Sequence, residues 1–302
     1  MWIRQPGKVT ERIDFLGTYD MCLYLLKGKV GMIIGGGMSY VGPYLEQQLS
    51  TVLFDTADIR YLVIPHSHFD HCGAVPYLKR RLPQLEVVAS AYSKEVFSRK
   101  KVVDIIAAAN RQMIEKYNLL DEYKELGLRF DGIEVNRVVE DRDTIDLGEG
   151  VVAHFSEVPG HSRCCIATYV PYLEAIFPTD AAPFPMDDEL GLSCPSAQYD
   201  FPSYEESLQK LAGRDVQLCA FDHHGVLMGE EANNVLKRGL KEVRKLKAYV
   251  AAQYGASHDP DKIARQLASE ILERSDFEYM SLELMTSITR VMIDSILRQI
   301  HS

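Results

Sequence analysis

The stretch Tyr61-Leu62-Val63-Ile64-Pro65-His66-Ser67-His68-Phe69-Asp70-His71-Cys72-Gly73 puts three histidines and an aspartate within six residues, directly after a short apolar run. The run reads as a buried strand, and Ala74–Leu82 beyond it reads as a helix stopped by Pro83. Imidazole and carboxylate are ligands that suit zinc, iron or manganese. In extended or turn geometry, residues two apart point to the same side, so His66 and His68 can grip one ion. Asp70 and His71 then turn toward a second. The pattern H-x-H-x-D-H at a strand-to-helix junction therefore points to metal chemistry on one loop.

Working outward, Cys22–Leu26 and Val30–Ile34 read as two strands of a hairpin joined by Lys27-Gly28-Lys29. Gly35, Gly36 and Gly37 follow as a tight turn, without the G-x-G-x-x-G spacing of a dinucleotide fingerprint. Glu86–Ala89 is a strand, and residues 93–128 are helical in composition. Strands return at Val135–Val139, Val151–Val158, Cys165–Val170, Ala175–Phe177 and Val216–Phe221, with a helix at Ser203–Leu211. From Glu230 only helices are expected. One runs to about Tyr254, and a second begins at Asp259-Pro260, an N-cap followed by proline at the first helical position. A third covers about Leu282–Ile300. The expected fold class is α/β, an αββα arrangement over residues 1–229 with a helical C-terminal cap over 230–302.

Composition narrows the function classes. The chain has 302 residues, 46% of them hydrophobic and 25% charged, as in an ordinary globular protein. No run approaches the roughly 18 apolar residues of a membrane span. The first residues lack the apolar core of a signal peptide, so a cytoplasmic protein is expected. A net charge of −10 argues against nucleic acid as the main partner, since phosphate binding needs a basic surface. The six cysteines have no C-x-x-C spacing, which removes a thiolate zinc site and a disulfide framework from consideration.

With these residues in view, the chain resembles the metallo-β-lactamase superfamily, in particular its glyoxalase II-like hydrolases, over about residues 15–230. Pro159-Gly160-His161-Ser162 matches the motif of the next histidine. Asp180, in Pro178-Thr179-Asp180-Ala181, matches the bridging aspartate, and His224-Gly225 matches the last His-Gly. The pattern is departed from in two places: Thr179 stands where the family usually has glycine, and the last motif, usually Gly-His, reads Asp222-His223-His224. The resemblance implies an αββα metallo-β-lactamase sandwich and two divalent transition-metal ions (zinc or iron, with manganese also suitable). It assigns His66, His68 and His161 to one ion and Asp70, His71 and His224 to the other, with Asp180 between them. His223 is then a neighbour of the ligands or a substrate contact. The implied reaction is attack of a metal-bridged hydroxide on an ester or thioester carbonyl, of acyl-CoA type, with Asp70 also the natural proton acceptor.

A closer resemblance is to the quinolone-response thioesterases of pseudomonads. It is carried by His71-Cys72-Gly73 with Pro76-Tyr77-Leu78 and Arg81-Leu82-Pro83, by Asn110-Arg111-Gln112, and by Leu297-Arg298-Gln299. It implies C-terminal helices folded over the metal cleft. Phe184 and Ser287 are candidate substrate contacts. Lys237, Arg238, Lys241, Arg244 and Lys245 share a helix face that could meet an anionic leaving group or simply face solvent. A lactonase, which needs no such patch, and a signalling or protein-interaction role with secondary hydrolysis remain the alternatives. The partner expected is a small ester or thioester, with no nucleic acid and no membrane, and a homodimer is compatible with the sequence.

Overall fold

The apolar runs resolve into two sheets packed face to face, with helices on both outer surfaces. The computed structural model describes residues 1–187, 189–274 and 280–301. Its strands are β1 (Trp2–Ile3), β2 (Gly7–Lys8), β3 (Ile13–Gly17), β4 (Cys22–Lys27), β5 (Gly31–Ile34), β6 (Ile59–Val63), β7 (Glu86–Ala89), β8 (Arg137–Val138), β9 (Thr144–Asp146), β10 (Val152–Glu157), β11 (Ile166–Val170), β12 (Ala175–Phe177), β13 (Leu218–Ala220) and β14 (Val226–Met228). Its helices are α1 (Gly42–Thr51), α2 (Val75–Arg81), α3 (Ala91–Phe97), α4 (Lys100–Lys116), α5 (Leu120–Glu125), α6 (Phe201–Ala212), α7 (Glu230–Ser257), α8 (Pro260–Glu273) and α9 (Leu282–His301). Among the described residues, one sheet has the order β2-β3-β4-β5-β6-β7-β8 and the other β1-β14-β13-β12-β11-β10-β9.

Alternation along β4 shows how the layers form. Cys22, Tyr24 and Leu26 face the core between the sheets, with Phe155, Phe177 and Ala220 of the second sheet. Leu23 and Leu25 face the other way, against the layer that holds Leu45, Leu78 and Ile114 of α1, α2 and α4. A strand buried on both faces reads as a continuous apolar run rather than as alternation. Tyr24 also joins the layers, its hydroxyl donating to the Phe221 carbonyl at 2.6 Å.

On the outer face of the second sheet, Ile176, Cys219 and Leu227 share one apolar cluster with Leu208 of α6, Val243 of α7 and Ile296 of α9. The helices beyond residue 229 thus share this core with the second sheet. The helical stretch expected over 93–128 is three helices. The backbone is extended at Arg99, with φ −86° and ψ 106°, and left-handed at Asn118, with φ 57°. No described helix is long and apolar enough to cross a membrane.

Candidate metal centre

The parallel pairing of β5, β6 and β7 brings the chain out of β6 directly into the histidine loop. Three contacts fix that loop. His71 N–H donates to the His68 carbonyl at 3.1 Å, and Ser67 N–H to Cys164 Sγ at 3.3 Å. Asn110, buried on α4, donates to the Phe69 carbonyl at 3.1 Å and accepts from Ser39 N–H at 2.6 Å. Gly73 is required there, because a Cβ at that position would lie 2.0 Å from Asn110 Oδ1.

The second sheet supplies the facing residues from its loop ends. His161 follows β10, Asp180 follows β12, and His223 lies between β13 and β14. Among the described residues, three overlapping groups result, each with ligand atoms mutually within 4.8 Å: His66, His68 and His161; His66, His71 and Asp180; Asp70, His71 and His223. Asp180 stands at the centre. Its Oδ2 is 3.2 Å from His71 Nε2, 3.3 Å from His161 Nε2 and 3.6 Å from His66 Nε2. Its Oδ1 is 3.9 Å from His223 Nε2.

The outward ring nitrogens settle which atoms face inward. His161 Nδ1 meets the Ser196 carbonyl at 2.8 Å, and His223 Nδ1 the Asp20 carbonyl at 2.6 Å. A carbonyl only accepts, so both rings carry their proton on Nδ1 and turn an Nε2 lone pair to the cluster. His66 Nε2 is buried without a hydrogen-bond partner, a costly state for a polar atom that a metal ion would relieve. The donor set fits a divalent transition metal.

Electrostatics agree with that fit. Burial, with the neighbouring histidines, holds His66 well below the usual imidazole range and brings His68 down to about 3. These rings are neutral and ligand-ready at pH 7. Burial alone would raise the carboxyls of Asp70 and Asp180, but the cationic form of His71, helped by His223 and, for Asp180, by His161, outweighs it and keeps both ionised. His71 runs the other way: burial opposes its charge, yet Asp70 and Asp180 hold it above the usual range.

A sequence profile of the metallo-beta-lactamase superfamily matches residues 22–223. The chain belongs to the metallo-β-lactamase superfamily. A probable metallo-hydrolase of Burkholderia pseudomallei (strain 1710b) is 27% identical over 160 residues, which is 52% of this chain and 47% of that protein. The match thus spans about half the length of the curated relative. A metallo-β-lactamase of Cronobacter sakazakii superposes with a TM-score of 0.56 at 20% identity, over 83% of this chain and 95% of that one. An archaeal superfamily protein of Sulfolobus tokodaii superposes with a TM-score of 0.54 at 17% identity, over 100% and 97% of the two chains. At such identities the superpositions speak for the metallo-β-lactamase fold alone.

Six of the seven expected ligands meet in the cluster; the seventh does not. The register expected at the last motif is corrected: His223, not His224, joins Asp70 and His71. His224 has a left-handed backbone, with φ 63°, and its ring turns away to stack on Tyr19 at 4.5 Å. Its Nδ1 meets the Pro185 carbonyl at 2.8 Å. Gly225 serves the turn, since a Cβ there would lie 2.1 Å from the Ile3 carbonyl oxygen.

The cluster opens into a cavity of about 720 Å³ whose wall includes Phe69, Ile106, Phe184, Leu246, Met285 and Met292. Phe184 thus lies where it was expected. Ser287 is corrected: it is exposed and its hydroxyl donates to the Glu283 carbonyl at 3.0 Å. Met285, Ile288 and Met292 turn the other face of α9 to the cavity. Of the basic helix face only Lys245 reaches the wall, and its amine is bound to Glu242 at 2.7 Å.

Proposed function

We propose that this protein is a metal-dependent hydrolase that cleaves an ester or thioester bearing an apolar acyl group, using two divalent ions. The observation that carries this reading is the junction of the His/Asp cluster with a large, mainly apolar cavity walled by α4, α7 and α9. Two divalent ions, once bound, would polarise the scissile carbonyl and make a water acidic enough to ionise near neutral pH. His66, His68 and His161 would hold one ion, and Asp70, His71 and His223 the other. Asp180 is placed between the two sets. The ionised carboxylates of Asp70 and Asp180 accept hydrogen bonds from water and so orient it toward the cavity. Phe184 and Met292 exclude bulk water from the acyl side.

A lactone is the second reading, favoured by the state of the basic helix face. Lys237, Lys241 and Arg244 are exposed and absent from the cavity wall, and Lys245 is paired. Among the described residues, no cluster of cations lines the cavity for a leaving group rich in phosphates, such as coenzyme A: the wall holds Arg274 and the paired Lys245. A panel of acyl-CoAs, simple thioesters, lactones and phosphodiesters, run on metal-replete protein with His68→Ala as the control, tests both readings. Turnover of thioesters or lactones is expected, and cleavage of phosphodiesters alone would overturn the proposal.

A further inference from the structure

Thr179 and Asp222, which directly precede Asp180 and His223 of the cluster, are in contact: Thr179 Oγ1 donates to Asp222 Oδ2 at 2.9 Å. Both are buried, at 2% and 5% exposure. Each also touches a histidine of the cluster. His66 Nδ1 lies 3.0 Å from Thr179 Oγ1, and His71 Nδ1 lies 3.2 Å from Asp222 Oδ2.

The Thr179 hydroxyl sets the direction of the bond to His66. An ionised carboxylate only accepts, so the single hydroxyl proton of Thr179 points to Asp222. Thr179 Oγ1 can then only accept from His66, whose proton must sit on Nδ1. Asp222 receives the Nδ1 proton of His71 on the same oxygen. Nε2 of each ring is left facing the cluster, and His66 Nε2 is buried there without a hydrogen-bond partner. The local backbone makes threonine an unfavourable choice at this position. Thr179 has φ 51°, a left-handed conformation unfavourable for a β-branched residue and free for glycine.

We propose that Thr179 and Asp222 form a single positioning clasp that holds the Nδ1 proton of His66 and that of His71 together, turns both Nε2 atoms to the cluster, and so couples the two metal-ligand sets from behind. His66 belongs with His68 and His161, and His71 with Asp70 and His223. A buried carboxylate behind a ligating imidazole orients the ring and raises its basicity. Here one carboxylate serves two rings, one directly and one through a hydroxyl.

The inference rests on the metal-binding reading, so wild-type affinity for Zn²⁺ is measured first, by competition with a chromophoric chelator. Failure of the wild-type protein to bind would sink both. Thr179→Gly and Asp222→Gly are each expected to weaken Zn²⁺ binding by about 10- to 100-fold. The double variant is expected to be no weaker than the worse single, because both remove the same chain of hydrogen bonds. Thr179→Ser keeps the hydroxyl and should retain affinity, which a role of the methyl group would not allow, and Thr179→Ala, which keeps the Cβ without the hydroxyl, should lose it, which a role of the backbone alone would not allow. In the metal-free protein, long-range ¹H–¹⁵N spectra should show His66 protonated on Nδ1 in the wild type and in Thr179→Ser, and a tautomer mixture in Thr179→Gly. Should Asp222→Gly fail to fold, Asp222→Asn takes its place in the cycle. Unchanged affinity in Thr179→Gly, or losses that simply add in the double variant, would overturn the clasp.

Discussion

Replacing His223 with alanine should lower the metal content of reconstituted protein from two ions toward one and abolish hydrolysis. Replacing His224 should leave metal content unchanged. Elemental analysis of the two variants separates them, and loss of metal in His224→Ala instead would contradict the geometry. His224→Ala still has a cost, because its ring stacks on Tyr19 and bonds the Pro185 carbonyl. A stability loss of about 1–3 kcal/mol is expected, read as a lower denaturation midpoint. The sequence made the ligand types and the first four positions legible, since strand end, loop and spacing alone bring them together. It could not separate His223 from His224. Two adjacent histidines in a turn are chemically alike, and what distinguishes them is a positive φ that glycine advertises and histidine does not. Thr179 was legible as a departure, but its meeting with Asp222 was not, because 42 intervening positions and a sheet crossover stand between them.

At the scale of single elements, α4 acts as a brace for the ligand loop through Asn110. Asn110→Ala would leave the Ser39 amide and the Phe69 carbonyl without their partner. A loss of about 1–3 kcal/mol in stability follows, together with weaker metal retention during dialysis against a mild chelator. A variant as stable as the wild type would show that the brace is dispensable. On α9, Ile288 lines the cavity and is only half-buried, so Ile288→Ala should widen the acyl pocket while keeping the helix docked. Steady-state kinetics are expected to show KM falling for longer acyl chains relative to short ones, and an unchanged chain-length profile would remove α9 from the substrate wall. Most elements were readable because their apolar positions carry a clear period. β3 was missed for a physical reason. It carries Asp14 in its second position, and the charge is tolerated only because Lys27 of β4 meets it at 2.8 Å in a buried pair. Such a pairing between strands has no local signature.

Taken whole, the molecule joins the helices beyond residue 229 to its second sheet. Leu208, Cys219, Val243 and Ile296 pack in one cluster, so a chain ending at 229 would expose the outer face of the second sheet and is expected to aggregate. The intact protein should instead unfold in one cooperative transition by calorimetry. Two separate transitions would show that the C-terminal helices unfold on their own. The ligand set has a consequence for the same question. His66, His68, Asp70 and His71 hang from one sheet, and His161, Asp180 and His223 from the other. An ion held by both is a rivet through the sandwich, a crosslink in a chain whose six cysteines are all free. Unlike a disulfide, this crosslink is set by mass action. Free metal at about 100 times its dissociation constant adds roughly 2.7 kcal/mol for each site, and the melting temperature should climb steadily with metal concentration. Chelation would then lower the melting temperature by removing a tie between two sheets that their shared apolar core still holds together.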